Sequence, residues 1–199
     1  MIKPKLVLAS TSPYRRALLE RLGLSFDIAS PDIDETAQDN ESPEHLVTRL
    51  AEAKARAVAS KHPESLIIGS DQVAVLDRRI LGQPGDHQTA LQQLNNASGR
   101  KVTFLTGLCL LNTETNDFQI NVTPYSVKFR RLNSSQFENY LRREQPYDCA
   151  GSFKSEGLGI ALFETMEGDD PNALIGLPLI ALINMLTNEG IDLLDSADL

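Results

Sequence analysis

Apolar residues fall along this chain in two rhythms: short unbroken runs that suit buried strands, and a three-to-four spacing that suits amphipathic helices. Leu6 to Ala9 is the first run and predicts a short buried strand. Ser12 then occupies an N-cap position and Pro13 the first helical position. Leu18, Leu19 and Leu22 give the following helix one apolar face, and Gly23 closes it. Ser25 to Ala29 predicts a second strand, followed by the acidic loop from Ser30 to Thr36. Ser42-Pro43-Glu44 is a strong helix start, and Leu46, Val47, Leu50, Ala51, Lys54 and Val58 keep helical spacing as far as about Lys61.

Leu66-Ile67-Ile68 begins a buried strand that is expected to end in the polar residues Ser70-Asp71-Gln72. Val73 to Leu76 and Ile80-Leu81 flank a hairpin turn at Asp77-Arg78-Arg79. His87 to Asn96 predicts a short helix stopped by Gly99, and Val102 to Leu111 with Phe118 to Phe129 an antiparallel pair. Ser134 to Glu144 reads as a helix with Phe137, Tyr140 and Leu141 on one face. A Gly-rich segment, a strand near Ile160 to Phe163 and a closing helix from about Pro178 to Asn188 complete the chain. Strands and helices interleave while some neighbouring strands run antiparallel. The expected class is therefore α/β, with a mixed sheet and two lobes.

Composition narrows the class of function. The 199 residues are 41% hydrophobic and 23% charged, ordinary for one globular domain, and no linker or repeat divides them. A net charge of −8 argues against non-specific binding to nucleic acid or to an anionic membrane. The apolar stretch Ala173 to Leu186 is broken by Gly176 and Pro178 and is too short to span a bilayer. No signal-like segment opens the chain, and two cysteines make no disulfide framework, so the cytoplasm is the expected compartment. Cys109, within an apolar run, reads as a small buried hydrophobe.

An acidic protein that binds anions must concentrate its cations, which draws attention to Arg15 and Arg16. Both fall in the first turn of a helix, where the macrodipole disfavours positive charge. Either they are a solvated pair, or an anion is held there by free N–H groups, the Ser10 and Ser12 hydroxyls and two guanidinium forks. Asp71 is expected at the carboxyl end of a buried strand, where open α/β sheets place ligands. There it binds a divalent ion, acts as a general base, or caps a turn. Asp34 and Glu35 either complete a metal site or lie solvated. Lys54, on an otherwise apolar helix face, either snorkels or points into a site. Tyr147 to Gly159 is dense in small residues with Lys154 and Glu156 between them, a loop that backbone and ligand could approach closely. His45, His62 and His87 have no metal-ligand spacing, and the common phosphate-loop, dinucleotide and serine-hydrolase motifs are missing. Cys149 has no adjacent base to activate it. The remaining chemistry is metal-assisted attack on a phosphate ester or anhydride.

The residues now carry a resemblance. Leu8-Ala-Ser10-Thr-Ser12-Pro13-Tyr14-Arg15-Arg16, Asp34-Glu35-Thr36, Ala53-Lys54-Ala55, Ile68-Gly-Ser70-Asp71, Ile80-Leu-Gly82 with Pro84, Ser98-Gly99, Thr106-Gly107, Asp148 with Ala150-Gly151, and Asn172 to Pro178 follow one another in order. Over essentially its whole length, 1–199, the chain resembles the Maf family of nucleoside triphosphate pyrophosphatases. The resemblance implies a single domain of the two-lobed kind found in inosine triphosphate pyrophosphatases, with the active cleft between the lobes. It implies hydrolysis of a nucleoside triphosphate to the monophosphate and diphosphate with Mg²⁺ or a similar divalent ion such as Mn²⁺ or Co²⁺. Ser10, Arg15, Arg16 and Lys54 would hold phosphates. Glu35 and Asp71 would serve the metal, with Asp71 the base for the attacking water.

Gln72 and the run Ser152-Phe-Lys154-Ser-Glu156-Gly157 resemble the branch acting on 7-methylguanosine triphosphate. Methylation makes that base cationic, so a carboxylate at Glu156 would oppose its charge and accept its N–H groups, while Tyr14 would offer an aromatic face. The rival readings are a non-catalytic nucleotide-binding regulator of cell division, and the same chemistry on dTTP, UTP, ITP or XTP. Homodimers are common in the family, although no interface can be read from the sequence. One departure stands out: Gln83 occupies the place of the family's usual lysine, so that either Arg78 or Arg79 compensates from the neighbouring turn or the lysine matters less in this branch.

Overall fold

The structure is a computed structural model that describes residues 4–195. In chain order its elements are β1 (Lys5–Leu8), α1 (Pro13–Glu20), β2 (Phe26–Ile28), α2 (Pro43–Ala59), β3 (Ser65–Leu76), β4 (Arg79–Leu81), α3 (His87–Ala97), β5 (Lys101–Asn112), β6 (Phe118–Phe129), α4 (Ser134–Glu144), β7 (Phe163–Glu167), α5 (Pro171–Ile175) and α6 (Leu179–Asn188). The strands form one mixed sheet in the order β2-β1-β3-β5-β6-β7, with β4 paired to β3 off that path. β2 and β3 flank β1 in parallel, and the remaining pairs are antiparallel. The mixed α/β class expected from the sequence is the one observed.

Local chemistry sets the helix starts. Ser12 accepts the Arg15 N–H, Ser42 accepts the His45 N–H, and Asn133 with Gln136 closes a reciprocal capping box on α4. Strand alternation then sorts the core. Leu6, Leu8, Leu66, Ile68, Leu108 and Leu110 face α1 and α6, whereas Val7, Ala9, Ile67, Cys109 and Leu111 face α2 on the other side. Each such fully buried Leu or Ile contributes about 1.5–3 kcal/mol. A separate cluster of Phe104, Phe129, Phe137, Phe153 and Phe163 packs the far halves of β3, β5 and β6 against α3 and α4.

Two glycines bring α2 onto the sheet. A β-carbon at Gly69 would lie 2.1 Å from the Ala51 carbonyl oxygen, and one at Gly107 would lie 2.3 Å from that of Val47. Only a bare backbone lets the helix lie this close.

Two sequence expectations are corrected. β3 does not end at Ser70-Asp71-Gln72 but runs on to Leu76, because β5 pairs with it without a break from Leu66 to Val75. Asp71 is thus a mid-strand residue. The strand foreseen near Ile160 begins at Phe163, since residues 158–162 form a tight 3₁₀ turn. Gly159 packs there against the Lys154 backbone, at a position where a β-carbon would be 2.2 Å from its carbonyl oxygen. The break expected at Gly176 and Pro178 is observed: the apolar run from Ala173 splits into α5 and α6 around Gly176, whose φ is 120°.

Candidate active site

The site begins as a gap in the sheet. β1 pairs with β3 only as far as Leu8 opposite Ile68, and β4 rejoins the same edge only at Leu81 opposite Ala74. Since β5 occupies the other edge throughout, the stretch between them faces open space, with Asp71 near its middle. A cleft of about 650 Å³ opens there. Ser10 to Arg15 line it after β1, and Gly82 and Gln83 after β4. Glu35, Lys54 and the segment around Asp148, Cys149 and Glu156 close its remaining sides.

Lys54 is the hub. Its side chain retains 7% exposure, and its ammonium lies 2.7 Å from Asp71 Oδ1 and 3.0 Å from Glu35 Oε1. Of the two fates the sequence allowed for Lys54, the structure selects the inward one. Arg15 is anchored by Nε donating to the Gly176 carbonyl at 2.9 Å, and its Nη1 donates to Ser10 Oγ at 3.5 Å. The Gly176 carbonyl also accepts from Ser70 Oγ at 2.9 Å, so β3 and α1 meet on one oxygen. Burial pulls the Arg15 guanidinium below its ordinary pKa, while Asp71 and Glu35 oppose that pull. A guanidinium remains cationic throughout.

Arg16 is not brought into the cleft. Successive helical residues point about 100° apart, and Arg16 faces solvent with its Nε donating to Glu20 at 2.8 Å. Gln72 lines the cleft, but its amide nitrogen donates to Thr106 Oγ1 and to the Ala173 and Leu174 carbonyls, tying α5 to the sheet. Asp34 binds its own loop through the Thr36 N–H. Gln83 lines the cleft, whereas Arg78 and Arg79, the candidates to compensate for it, are exposed and outside the lining.

Asp148 and Glu156 also line the cleft, with the Lys154 ammonium 4.0 Å from Asp148 Oδ1. Tyr14 lines it beside Cys149, Asp148 and Lys154. Burial and the neighbouring Cys149 raise its hydroxyl pKa, while Lys154 bonds to it and lowers it. Burial opposes the Lys154 charge, yet Tyr14 and nearby anionic groups hold its pKa above the ordinary value. Burial and Asp148 push the Cys149 thiol up to about 12. The Gly176 anchor of Arg15 carried no chemical signature of its own in the sequence beyond lying in an ordered motif.

Fold and cleft together define an α/β protein whose sheet opens onto a cleft lined by Arg15 and Lys54 and by the carboxylates of Glu35, Asp71, Asp148 and Glu156. Residues 5–189 match the family model described as Maf-like protein. The chain belongs to the Maf family. It is 61% identical over 187 residues to the 7-methyl-GTP pyrophosphatase of Nitrosococcus oceani, covering 94% of each chain. It is 58% identical over 190 residues to the protein of that name from Alcanivorax borkumensis, covering 96% of each. The protein of that name from Methylobacillus flagellatus is 58% identical over 191 residues, which are 96% of this chain and all of that one. The Ham1 protein of Staphylococcus aureus overlays with a TM-score of 0.44 and 14% identity, over 64% of this chain and 72% of that one. Among the described residues no helix is long and apolar enough to cross a membrane.

Proposed function

We propose that the chain hydrolyses 7-methylguanosine triphosphate to the monophosphate and diphosphate, using a divalent cation, and so keeps the modified nucleotide out of nucleic acid. The carrying observation is one cleft lined both by phosphate-binding groups, Ser10, Arg15 and Lys54, and by carboxylates, among them Glu35, Asp71, Asp148 and Glu156. A triphosphate with a cationic methylated base offers anionic oxygens to the first set and positive charge to the second. Three relatives of that printed activity, at 58–61% identity, support the same substrate.

Glu35 and Asp71 both reach the Lys54 ammonium, at 3.0 and 2.7 Å, and this approach to one cation supports a shared role in holding a metal ion. Hard divalent ions such as Mg²⁺ are held by one or two carboxylates plus substrate phosphates and water rather than by a closed protein cage. Among the described residues no cluster of three or more His, Cys, Asp or Glu forms such a cage. The donor set therefore fits, with Glu35 and Asp71 as the holders. When bound, the cation would neutralise phosphate charge and acidify a water.

The side chains do the rest. Lys54 neutralises the two carboxylates in the free cleft and turns to phosphate oxygens when the substrate enters. Arg15, fixed by Gly176, presents its remaining N–H groups to the same phosphates, with Ser10 beside it. Asp71 accepts the proton of the water that attacks the α-phosphorus, and diphosphate leaves. Tyr14 offers its ring to the base, and Glu156 accepts guanine N–H groups. Pyrophosphate release across a nucleotide panel, by the unmodified protein and Asp71→Asn, tests this reading. Selective turnover lost in the variant supports it.

A further inference from the structure

Glu35 lies in a loop, residues 29–42, that contains no helix or strand. Something else must fix a carboxylate that works at a defined point. Arg49, on α2 and outside the cleft lining, reaches back to this loop with three bonds. Its Nε donates to Glu41 Oε1 at 2.7 Å, and its Nη2 donates to Glu41 Oε2 at 2.8 Å and to the Thr36 carbonyl at 3.1 Å. Glu41 Oε2 accepts the Gln38 N–H at 2.9 Å as well, and Asp34 accepts the Thr36 N–H at 2.9 Å. One guanidinium thus grips the loop at two points, one of them the residue next to Glu35. The grip is set on the helix that also carries Lys54, 3.0 Å from Glu35.

We propose that Arg49, locked by Glu41, is a positioning residue that aims Glu35 at Lys54 and Asp71 in the cleft. The inference rests on the role given to Glu35 above. A planar fork holding two carboxylate oxygens and a carbonyl at once is geometry that a lysine cannot reproduce. The Glu41 side chain is only 7% exposed, so solvent does not compete freely for it. Arg49 pulls its carboxyl down to about 2, which keeps the clamp ionised at neutral pH. Neither residue is marked in the sequence, because eight positions separate them and neither belongs to a chemical motif.

The test combines amide exchange and kinetics on the full chain with Arg49→Met, Arg49→Lys and Glu41→Gln. Glu41→Gln cuts the clamp from the loop side and leaves α2 intact, which covers a failure of the arginine variants to fold. Without nucleotide or metal, the amides of Thr36 and Gln38 are expected to exchange about tenfold faster in all three, with β3 and β5 unchanged. With 7-methylguanosine triphosphate, kcat falls about tenfold or more and half-saturation by Mg²⁺ needs more metal, while KM moves little. Arg49→Lys does not rescue. Faster loop exchange with unchanged kcat and Mg²⁺ dependence overturns the inference, as does unchanged exchange. If the unmodified protein turns over no nucleotide, the proposed function fails, and the exchange arm still decides whether Arg49 holds the loop.

Discussion

The ammonium of Lys54 and the carboxylate of Asp71 meet at 2.7 Å although one belongs to a helix and the other to the middle of a strand. Both side chains are nearly sealed from water, with 7% and 8% exposure. Removing one member of a buried pair strands the other charge, at a cost of about 3 kcal/mol or more. Lys54→Met should therefore destabilise the protein in urea, and Lys54→Met/Asp71→Asn should recover part of the loss. Strictly additive effects would show that the two groups do not depend on each other.

Gly69 makes that meeting possible. Its would-be β-carbon lies 2.1 Å from the Ala51 carbonyl oxygen and 3.0 Å from the Ala55 nitrogen, both backbone atoms that cannot swing aside. Gly69→Ala must lift α2 from the sheet, costing about 1–3 kcal/mol. Lys54 moves with the helix, and a shift of about 1 Å at a reacting group lowers kcat on the order of 100-fold. Wild-type melting and turnover in Gly69→Ala would refute the close-packing argument.

The clamp between Arg49 and Glu41 sets a pH signature. Glu41 has its carboxyl lowered from 4.5 to about 2 by Arg49. A depressed carboxylate contributes stability that is complete above its unfolded pKa and fades as pH falls toward its folded one. The melting-temperature gap between the unmodified protein and Glu41→Gln should be fully present at neutral pH and close between about pH 4.5 and 2. A gap that stays constant across that range would contradict the assignment.

Cys149 lines the cleft yet should be inert. With its thiol pushed up to about 12, only about one molecule in ten thousand carries the thiolate at pH 8. Iodoacetamide at that pH should leave both Cys149 and the buried Cys109 unmodified in the native protein and should not inhibit it. Rapid labelling of Cys149 with loss of turnover would show an activated thiol.

Much of this architecture was legible in the sequence because it depends on local rules. The Ser12-Pro13 and Ser42-Pro43 starts, the unbroken apolar runs of β1 and the start of β3, and the α4 bounds each follow from a few adjacent residues. Ser10, Tyr14, Arg15, Glu35, Lys54, Asp71, Gln72 and Glu156 all stand in the cleft lining. What escaped is long-range. A polar triplet looked like the end of a strand, but the pairing of β3 with β5, set far along the chain, carries the strand through it. Arg15 and Arg16 looked alike until the facing of α1 separated them, one toward Gly176 and the other toward Glu20. Gln72 revealed its bonds to α5 only once that short helix had been placed.

The most direct measurement is pyrophosphate release with Mg²⁺ across 7-methylguanosine triphosphate, GTP, dTTP, UTP, ITP and XTP, run on the unmodified protein and on Asp71→Asn side by side. Preferential turnover of the methylated nucleotide is expected, falling by orders of magnitude in the variant while nucleotide binding persists. Equal turnover of dTTP and 7-methylguanosine triphosphate would contradict the base reading. Undiminished turnover in Asp71→Asn would contradict the chemistry assigned to the cleft.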